Sequence, residues 1–191
     1  MERVLDSGAV AMARDHAVIG AAGEHLVLSR LLSRGILAAK APDGTSVVDL
    51  VVHQRRSDGQ LSIAVAIQVK TRLRGGGDGG WHMQKKHEDH AEPWLFYAFV
   101  DFVPENPVVY VMPSSKVAQV VRDVHATWLA RPGKHGQAHN DSKMRRIRPK
   151  WPFEAPGVYD GWMDQYREAW SLLGVEPSAE STEVAVEGDE D

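Results

Sequence analysis

The stretch that decides the fold is residues 61–71, LSIAVAIQVKT, which alternates in the period-two pattern of a β-strand. Its β-branched residues share one face: Ile63, Val65, Ile67 and Val69. The opposite face begins with small side chains and ends in Gln68 and Lys70, which stand about 6.6 Å apart along a strand. Lysine is almost never fully buried unless it is paired. We therefore expect Lys70 either to reach solvent at the strand end or to face an anion or an open cleft.

A helix precedes this strand in residues 18–34, where apolar residues recur at helical spacing before Gly35. Glu24 lies inside that helix among small and apolar neighbours. Its side chain either faces solvent at the edge of the helix or is a charge that faces inward. Gly20 and Gly23 thin one side of the helix, which predicts close packing on a sheet.

Residues 46–53, SVVDLVVH, are apolar on both faces, a pattern typical of a strand in the middle of a covered sheet. Asp49 interrupts them, although aspartate is depleted in strands and costly to bury alone. The sequence predicts either a hydrogen-bonded structural aspartate or a metal ligand at this position. Asp43, in the turn before the strand, is a second-choice ligand.

The remaining chain predicts strands at 94–102 and 108–112 and a helix at 116–128 that is capped by the Pro113-Ser114-Ser115 segment. Residues 81–93 are polar, and we expect a helical segment whose histidines lie on a solvated face rather than in a zinc site. Residues 130–150 are predicted to be a loop. A last helix over 159–173 is expected to pack its aromatic residues into the core: Trp162, Tyr166 and Trp170.

Several basic residues are candidates for phosphate contacts. The glycine-rich loop 72–80 carries two of them, but it lacks the Gly-Lys-Ser/Thr ending of a phosphate-binding P-loop. The densest basic stretch is residues 143–150, KMRRIRPK, for which a solvated basic loop is an equally good interpretation. The nucleic-acid-binding candidates are Arg72, Arg74, Lys85, Lys86, Arg145 and Arg146.

Composition predicts one domain, residues 16–174, between an N-terminal arm of residues 1–15 and an acidic, disordered tail of residues 175–191. The tail carries seven acidic residues and no basic one, and without it the net charge of -4 becomes 22 basic against 19 acidic residues. A mildly basic body is compatible with a nucleic-acid partner. With no cysteine, no signal-peptide pattern and no membrane-length apolar run, we expect a soluble, cytoplasmic protein without membrane association.

The order of these features resembles the PD-(D/E)XK nuclease superfamily, which includes Holliday-junction resolvases and many restriction enzymes. The matching stretch runs from about residue 19 to 72: a helix with Gly20-Ala-Ala-Gly23-Glu24, a strand with Asp49 and a strand ending Gln68-Val69-Lys70. It is most similar to an uncharacterised subset with a QxK third motif. The resemblance implies an α/β fold with a restriction-endonuclease-like core, in which helices flank a central mixed β-sheet.

The resemblance also implies metal-dependent hydrolysis of phosphodiesters, with DNA the favoured substrate, in repair, recombination or defence. Mg²⁺ or Mn²⁺ would be held by Asp49, Glu24, the Gln68 side chain and the backbone carbonyl of Val69. Lys70 would orient or activate the water and stabilise charge on the phosphate. Two departures stand out: Val48-Asp49 replaces Pro-Asp, and the neutral Gln68 leaves two carboxylates instead of three.

Two alternatives stay open. The first alternative to the nuclease is a catalytically silent module of the same fold, which binds nucleic acid or a protein partner. The second is an interaction protein in which Lys70 forms a buried ion pair with Asp49 or Glu24. Convergence of Asp49, Glu24, Gln68 and Lys70 favours the nuclease fold, whereas opposite orientations of Asp49 and Lys70 exclude it. Superfamily members that act on two strands often dimerise, so a homodimer is compatible with the resemblance.

Overall fold

The computed structural model describes residues 16–42, 44–45, 47–73 and 79–177. The N-terminal arm and most of the acidic tail, residues 1–15 and 178–191, lie outside the described residues, and so do Asp43 and Arg74. Predictions that concern these residues remain predictions.

A mixed five-stranded sheet with a long helix against each face forms the fold, which confirms the predicted α/β class. The sheet order is β1-β2-β3-β5-β6, in which only the β3–β5 pair is parallel. A separate two-stranded sheet pairs β4 with β7. The helices and strands are α1 (His16–Leu32), β1 (Ala38–Lys40), β2 (Leu50–Arg55), β3 (Leu61–Arg72), β4 (Trp81–Gln84), β5 (Leu95–Asp101), β6 (Val108–Pro113), α2 (Ser114–Ala130) and β7 (Met144–Ile147).

Strand β3 is central, and its predicted alternation is confirmed over its buried half. Val65, Ile67 and Val69 pack in one core cluster with Val27 and Leu31 of α1. The opposite face of β3 contributes to a second cluster, in which strand β5 and helix α2 supply large side chains. Ile63 lies at the outer end of the strand and is 64% exposed, so the apolar face extends beyond the core there.

Helix α1 approaches β3 closely at Gly23, as the sequence predicted for that glycine. A Cβ on Gly23 would stand 1.9 Å from Thr71 Oγ1, whereas a Cβ on Gly20 would have no atom within 4 Å. The thin side of the helix therefore serves packing at Gly23 alone. This contact fixes the position of the next residue, Glu24, relative to the sheet.

The predictions for residues 81–93 and 130–150 were wrong in part, because each segment supplies a strand of the small sheet. In β4, Trp81 and Met83 are buried while the residues between them are exposed, and in β7 Ile147 is buried opposite Trp81. A 3₁₀ turn, Lys85–Glu88, follows β4. Since the partner strands are far apart in sequence, neither segment alone carried the signal of a covered strand.

The prediction of a last helix over residues 159–173 was also wrong. The segment contains two 3₁₀ turns, Asp164–Tyr166 and Trp170–Leu173. Between them Glu168 takes a positive φ of 50°, and its backbone N–H donates to Val109 O. The core role of the tryptophans is confirmed, since Trp162 and Trp170 are 1% and 5% exposed.

The predicted start of α2 needs a smaller correction. The helix begins at Ser114 after Pro113 as the capping position, without a side-chain cap. Ser114 Oγ donates instead to Glu92 O at 2.7 Å, which anchors the segment before β5 to the helix. Among the described residues, no helix has the length and apolarity needed to span a bilayer.

Candidate metal and nucleic-acid site

Asp49 lies immediately before β2, not inside it as predicted, because the strand begins at Leu50. Its backbone N–H donates to Ile67 O at 2.9 Å, and its Oδ2 accepts from the Val69 N–H at 2.7 Å. The carboxylate thus takes the position at which a ladder partner would otherwise bond Val69. Because the N–H and C=O of one strand residue point to the same side, the Val69 carbonyl is directed toward the same edge of β3.

Burial raises the pKa of the Asp49 carboxyl above its ordinary value, although the Val69 N–H and Lys70 oppose that effect. The negative charge of Glu24 raises the pKa further, and Lys40 lowers it. Asp49 is therefore a carboxylate whose buried charge its neighbours compensate incompletely. A bound cation would remove that cost.

Lys70 is half-buried on the face of β3 opposite α1. Burial lowers the pKa of its ammonium group, the charge of Asp49 raises it, and Lys86 lowers it again. Within the described part of the chain, no salt bridge within 4 Å joins Lys70 to Asp49 or Glu24. The geometry thus disfavours the alternative in which Lys70 is half of a structural ion pair.

Glu24 comes to the same end of the sheet from α1. Its side chain is 24% exposed, and Oε2 lies 2.8 Å from the Nζ of Lys40 in β1. It is close enough to Asp49 to contribute to the pKa of that residue. Glu24 is therefore a half-buried carboxylate with a cationic partner, intermediate between the solvated and the inward-facing alternatives.

Gln68 is buried, and its side-chain oxygen is unsatisfied. The residue is 5% exposed, and Oε1 has no hydrogen-bond partner among the described residues. Its register neighbour on β5 is Tyr97, whose hydroxyl is likewise buried without a described partner. Such groups are rare, because a buried polar atom without a partner costs about 1–3 kcal/mol. The two unsatisfied groups are therefore register neighbours, two residues along β3 from Lys70.

His87 lies against Tyr97, and its burial was missed by the sequence prediction, which expected a solvated face. The residue is 3% exposed, and its ring centroid lies 6.0 Å from that of Tyr97. Its Nδ1 accepts from the Gln84 N–H at 2.9 Å, while Nε2 has no described partner. Burial, reinforced by Lys70 and Lys86, lowers the pKa of His87 to about 4. No local signal predicted this burial, because the neighbours of His87 in sequence are polar.

The basic candidates divide into two groups. Arg72 pairs with Asp101 and lies 4.4 Å from the ring centre of Trp81. The side chain of Arg145 is 2% exposed and pairs with Glu88. The predicted phosphate contacts at these two arginines are therefore corrected to structural roles, since their guanidinium groups are committed inside the protein.

Other basic residues remain on the surface. Lys86 is exposed and close enough to Lys70 to affect its pKa, and Lys85 is exposed with its Nζ 3.5 Å from Asp141. Arg146 is half-exposed and donates to the carbonyl of Arg145 at 3.1 Å. The assignment of these three residues as phosphate contacts stays a prediction.

The donor set can be compared with what a hard divalent cation requires. Among the described residues, no group of three or more histidine, cysteine, aspartate or glutamate side chains is arranged to hold a metal. The oxygens that remain suit Mg²⁺, which binds one or two carboxylates and completes its shell with water and substrate. Those oxygens belong to the carboxylates of Asp49 and Glu24, to the unsatisfied Oε1 of Gln68 and to the backbone carbonyl of Val69.

Comparison with known proteins gives a structural likeness but no match in sequence. No family model and no curated protein matches the chain. Among solved structures, it is similar to a bacterial homing endonuclease, I-Ssp6803I, with 18% identity and a TM-score of 0.44. The likeness covers 83% of this chain and 91% of that one.

Proposed function

We propose that the chain is a metal-dependent nuclease that hydrolyses phosphodiesters of nucleic acid, with DNA as the favoured substrate. The observation that carries the proposal is the half-buried Asp49 carboxylate, which accepts from the Val69 N–H and lies near Lys70 without a salt bridge to it. An acidic and a basic group in this relation suit a site where both act on a third component. Structural charges in proteins are normally paired directly.

Each residue has a role that follows from its position. Asp49, with Glu24, Gln68 Oε1 and the Val69 carbonyl, would hold Mg²⁺ or Mn²⁺. When bound, the ion supplies Lewis-acid polarisation of the phosphate and a lowered pKa for water. Lys70 is the group beside Asp49 that stabilises negative charge on the phosphoryl oxygens and orients the attacking water. Because the pKa of Lys70 is lowered, its ammonium group loses its proton at a pH closer to neutrality than that of an ordinary lysine.

A second candidate is a silent module that binds nucleic acid without cutting it. The observation that favours it is the donor set, because Gln68 brings no charge and, within the described part of the chain, two carboxylates approach the site. In that case, exposed lysines at the 85–86 turn would hold phosphates while Asp49 and Lys70 would no longer support turnover. Binding without metal-dependent cleavage would identify this candidate.

The test is cleavage of supercoiled plasmid, linear duplex, single strand, branched junction and RNA in Mg²⁺ or Mn²⁺. Wild type is compared with Asp49→Asn and Lys70→Ala, and with Lys150→Ala as a surface control, since Lys150 is 78% exposed beside Asp160. We expect cutting that needs metal, falls at least about 100-fold in both site variants and persists in the control. Cutting that survives both site variants would contradict the assignment.

A further inference from the structure

A concavity separate from the candidate metal site lies beside helix α2 and strand β7. It has a volume of about 390 Å³ and is bounded by the later turns of α2, strand β7 and residues 148–153. This volume falls within the range of about 300–1,000 Å³ that is typical of small-ligand sites. Its wall combines aromatic rings with arginine side chains, and neither the metal ligands nor Lys70 contribute to it.

Three aromatic rings form one part of the wall: Trp128, Trp151 and Phe153. Trp151 and Phe153 are in tilted contact with ring centroids 5.5 Å apart, and both are half-buried. The indole Nε1 of Trp151 is buried and has no hydrogen-bond partner among the described residues. Because Nε1 is buried, the wall offers a flat ligand the faces of its rings rather than this N–H group.

The surroundings of the cavity are cationic. Arg148 lies 5.1 Å from the ring centre of Trp151, and Arg131 lies 5.2 Å from that of Phe153. Arg146 also lines the cavity. Arg145 lines it too, although Glu88 and Asp141 partly offset its charge. Aromatic platforms with arginine beside them are the recurring means by which proteins stack nucleic-acid bases.

A basic turn connects the cavity to the candidate metal site. The 3₁₀ turn Lys85–Glu88 follows β4, with Lys86 near Lys70 on one side. On the other side, Lys85 approaches Asp141, whose Oδ1 lies 2.9 Å from Nε2 of His125 at the cavity wall. A phosphate backbone over Lys85 and Lys86 would therefore join the two sites.

We infer that this cavity binds an unpaired nucleobase, so that the substrate is nucleic acid with single-stranded or unstacked nucleotides beside the scissile phosphate. The part of the inference that concerns the scissile phosphate rests on the proposed function, whereas the binding of a base does not. A paired base is held within its duplex stack, so only an unpaired one presents a face to the ring of Trp151. The shared chemistry is the nucleobase, whether it belongs to a strand or to a free nucleotide.

The test is fluorescence anisotropy of a short labelled single-stranded oligonucleotide in EDTA, where cleavage does not interfere. Trp151→Leu removes the ring, and Trp151→Phe keeps a stacking face if the leucine variant does not fold. Trp94→Leu is the matched control, because Trp94 is 49% exposed and lies near the start of α2, away from the cavity. An oligonucleotide with abasic residues keeps the phosphates without the bases, and AMP or dAMP as competitor distinguishes a free nucleotide from a strand.

We expect Trp151→Leu to weaken binding about 5- to 150-fold and Trp151→Phe to weaken it less, with no change in Trp94→Leu. The abasic oligonucleotide should bind wild type as weakly as the intact one binds Trp151→Leu. Equal binding by folded Trp151→Leu and wild type, or equal binding of abasic and intact strands, would overturn the inference. If wild type cleaves nothing while Asp49→Asn still binds the base, the proposed nuclease activity would be rejected and the base-binding cavity would stand.

Discussion

Two half-buried carboxylates in this molecule, Glu168 and Asp49, differ in how fully their charge is compensated. Glu168 accepts from the Val109 N–H and the Trp170 indole, both at 2.9 Å, and pairs with Arg30. Burial would raise the pKa of Glu168, but these partners outweigh it and hold the pKa below the ordinary value. Asp49 accepts, among the described residues, from the Val69 N–H alone, and its pKa is raised. The first carboxylate stabilises the fold, whereas the second is held at a cost that a ligand would remove.

The surroundings of the two residues repeat the contrast. Glu168 joins α1, β6 and the C-terminal turns through bonds that are all made within the chain. Beside Lys70, by comparison, several buried polar atoms lack a described partner: Gln68 Oε1, Tyr97 Oη and His87 Nε2. Unsatisfied buried groups lower stability, so their concentration at one place indicates function more than folding.

The largest expected effect is the loss of stability when Glu168, the carboxylate with the fuller set of partners, is replaced. Glu168→Ala would leave the guanidinium of Arg30, the Val109 N–H and the Trp170 indole without their acceptor. We expect the free energy of unfolding to fall by about 2–4 kcal/mol, as measured by urea denaturation. Asp49→Ala is the matched comparison and should cost less, because its charge is poorly compensated. A larger loss for Asp49→Ala would reverse the assignment of the two carboxylates.

The next effect is a pH dependence at His87. Because the folded pKa of about 4 is below the ordinary 6.5, the unfolded chain takes up a proton that the folded chain refuses. Stability should therefore decline as the pH falls from about 6.5 toward 4, by about 2 kcal/mol between pH 7.5 and pH 5. Urea denaturation across this range should show a flatter profile for His87→Gln. Parallel profiles for the two proteins would mean that His87 titrates normally.

The contact of α1 with β3 gives a pair of opposite effects. Gly23→Ala places a Cβ against Thr71 Oγ1, and we expect a loss of about 1–3 kcal/mol in thermal or urea unfolding. Gly20→Ala meets nothing within 4 Å and should gain about 0.5–1 kcal/mol, since alanine is the better helix former. If both substitutions stabilise the protein, the close approach that positions Glu24 is absent.

The smallest expected stability change separates folding from function most sharply. Gln68→Leu removes a buried amide oxygen without a described partner, so the free energy of unfolding should stay within about 1 kcal/mol of wild type or rise. If Gln68 is a ligand as proposed, metal-dependent cleavage should nevertheless fall, because that oxygen is lost. Gln68→Glu is the companion variant, and its added charge should strengthen metal binding. A strongly destabilised Gln68→Leu would show that the amide is a structural group.

The sequence predicted the parts of the site that local patterns encode. Alternation along residues 61–71 placed Gln68 and Lys70 on one face, and the isolated Asp49 marked a buried acidic group. What it missed depends on contacts distant in sequence. His87 is buried in a polar segment through its contact with Tyr97 of β5, and Arg145 is neutralised by Glu88. The pairing of β4 with β7 and the role of Glu168 arise in the same way, from neighbours that no local pattern identifies.

The most direct test of the central claim is the stability of wild type, Asp49→Asn and Glu168→Gln in Mg²⁺ or Mn²⁺ against EDTA. A metal that binds only the folded chain raises its free energy of unfolding by about 1.4 kcal/mol for each tenfold excess over the dissociation constant. We predict this rise in wild type and in Glu168→Gln, whose fold is weakened but whose site is intact, and none in Asp49→Asn. An equal rise in Asp49→Asn, or no rise in wild type with either metal, would contradict the account.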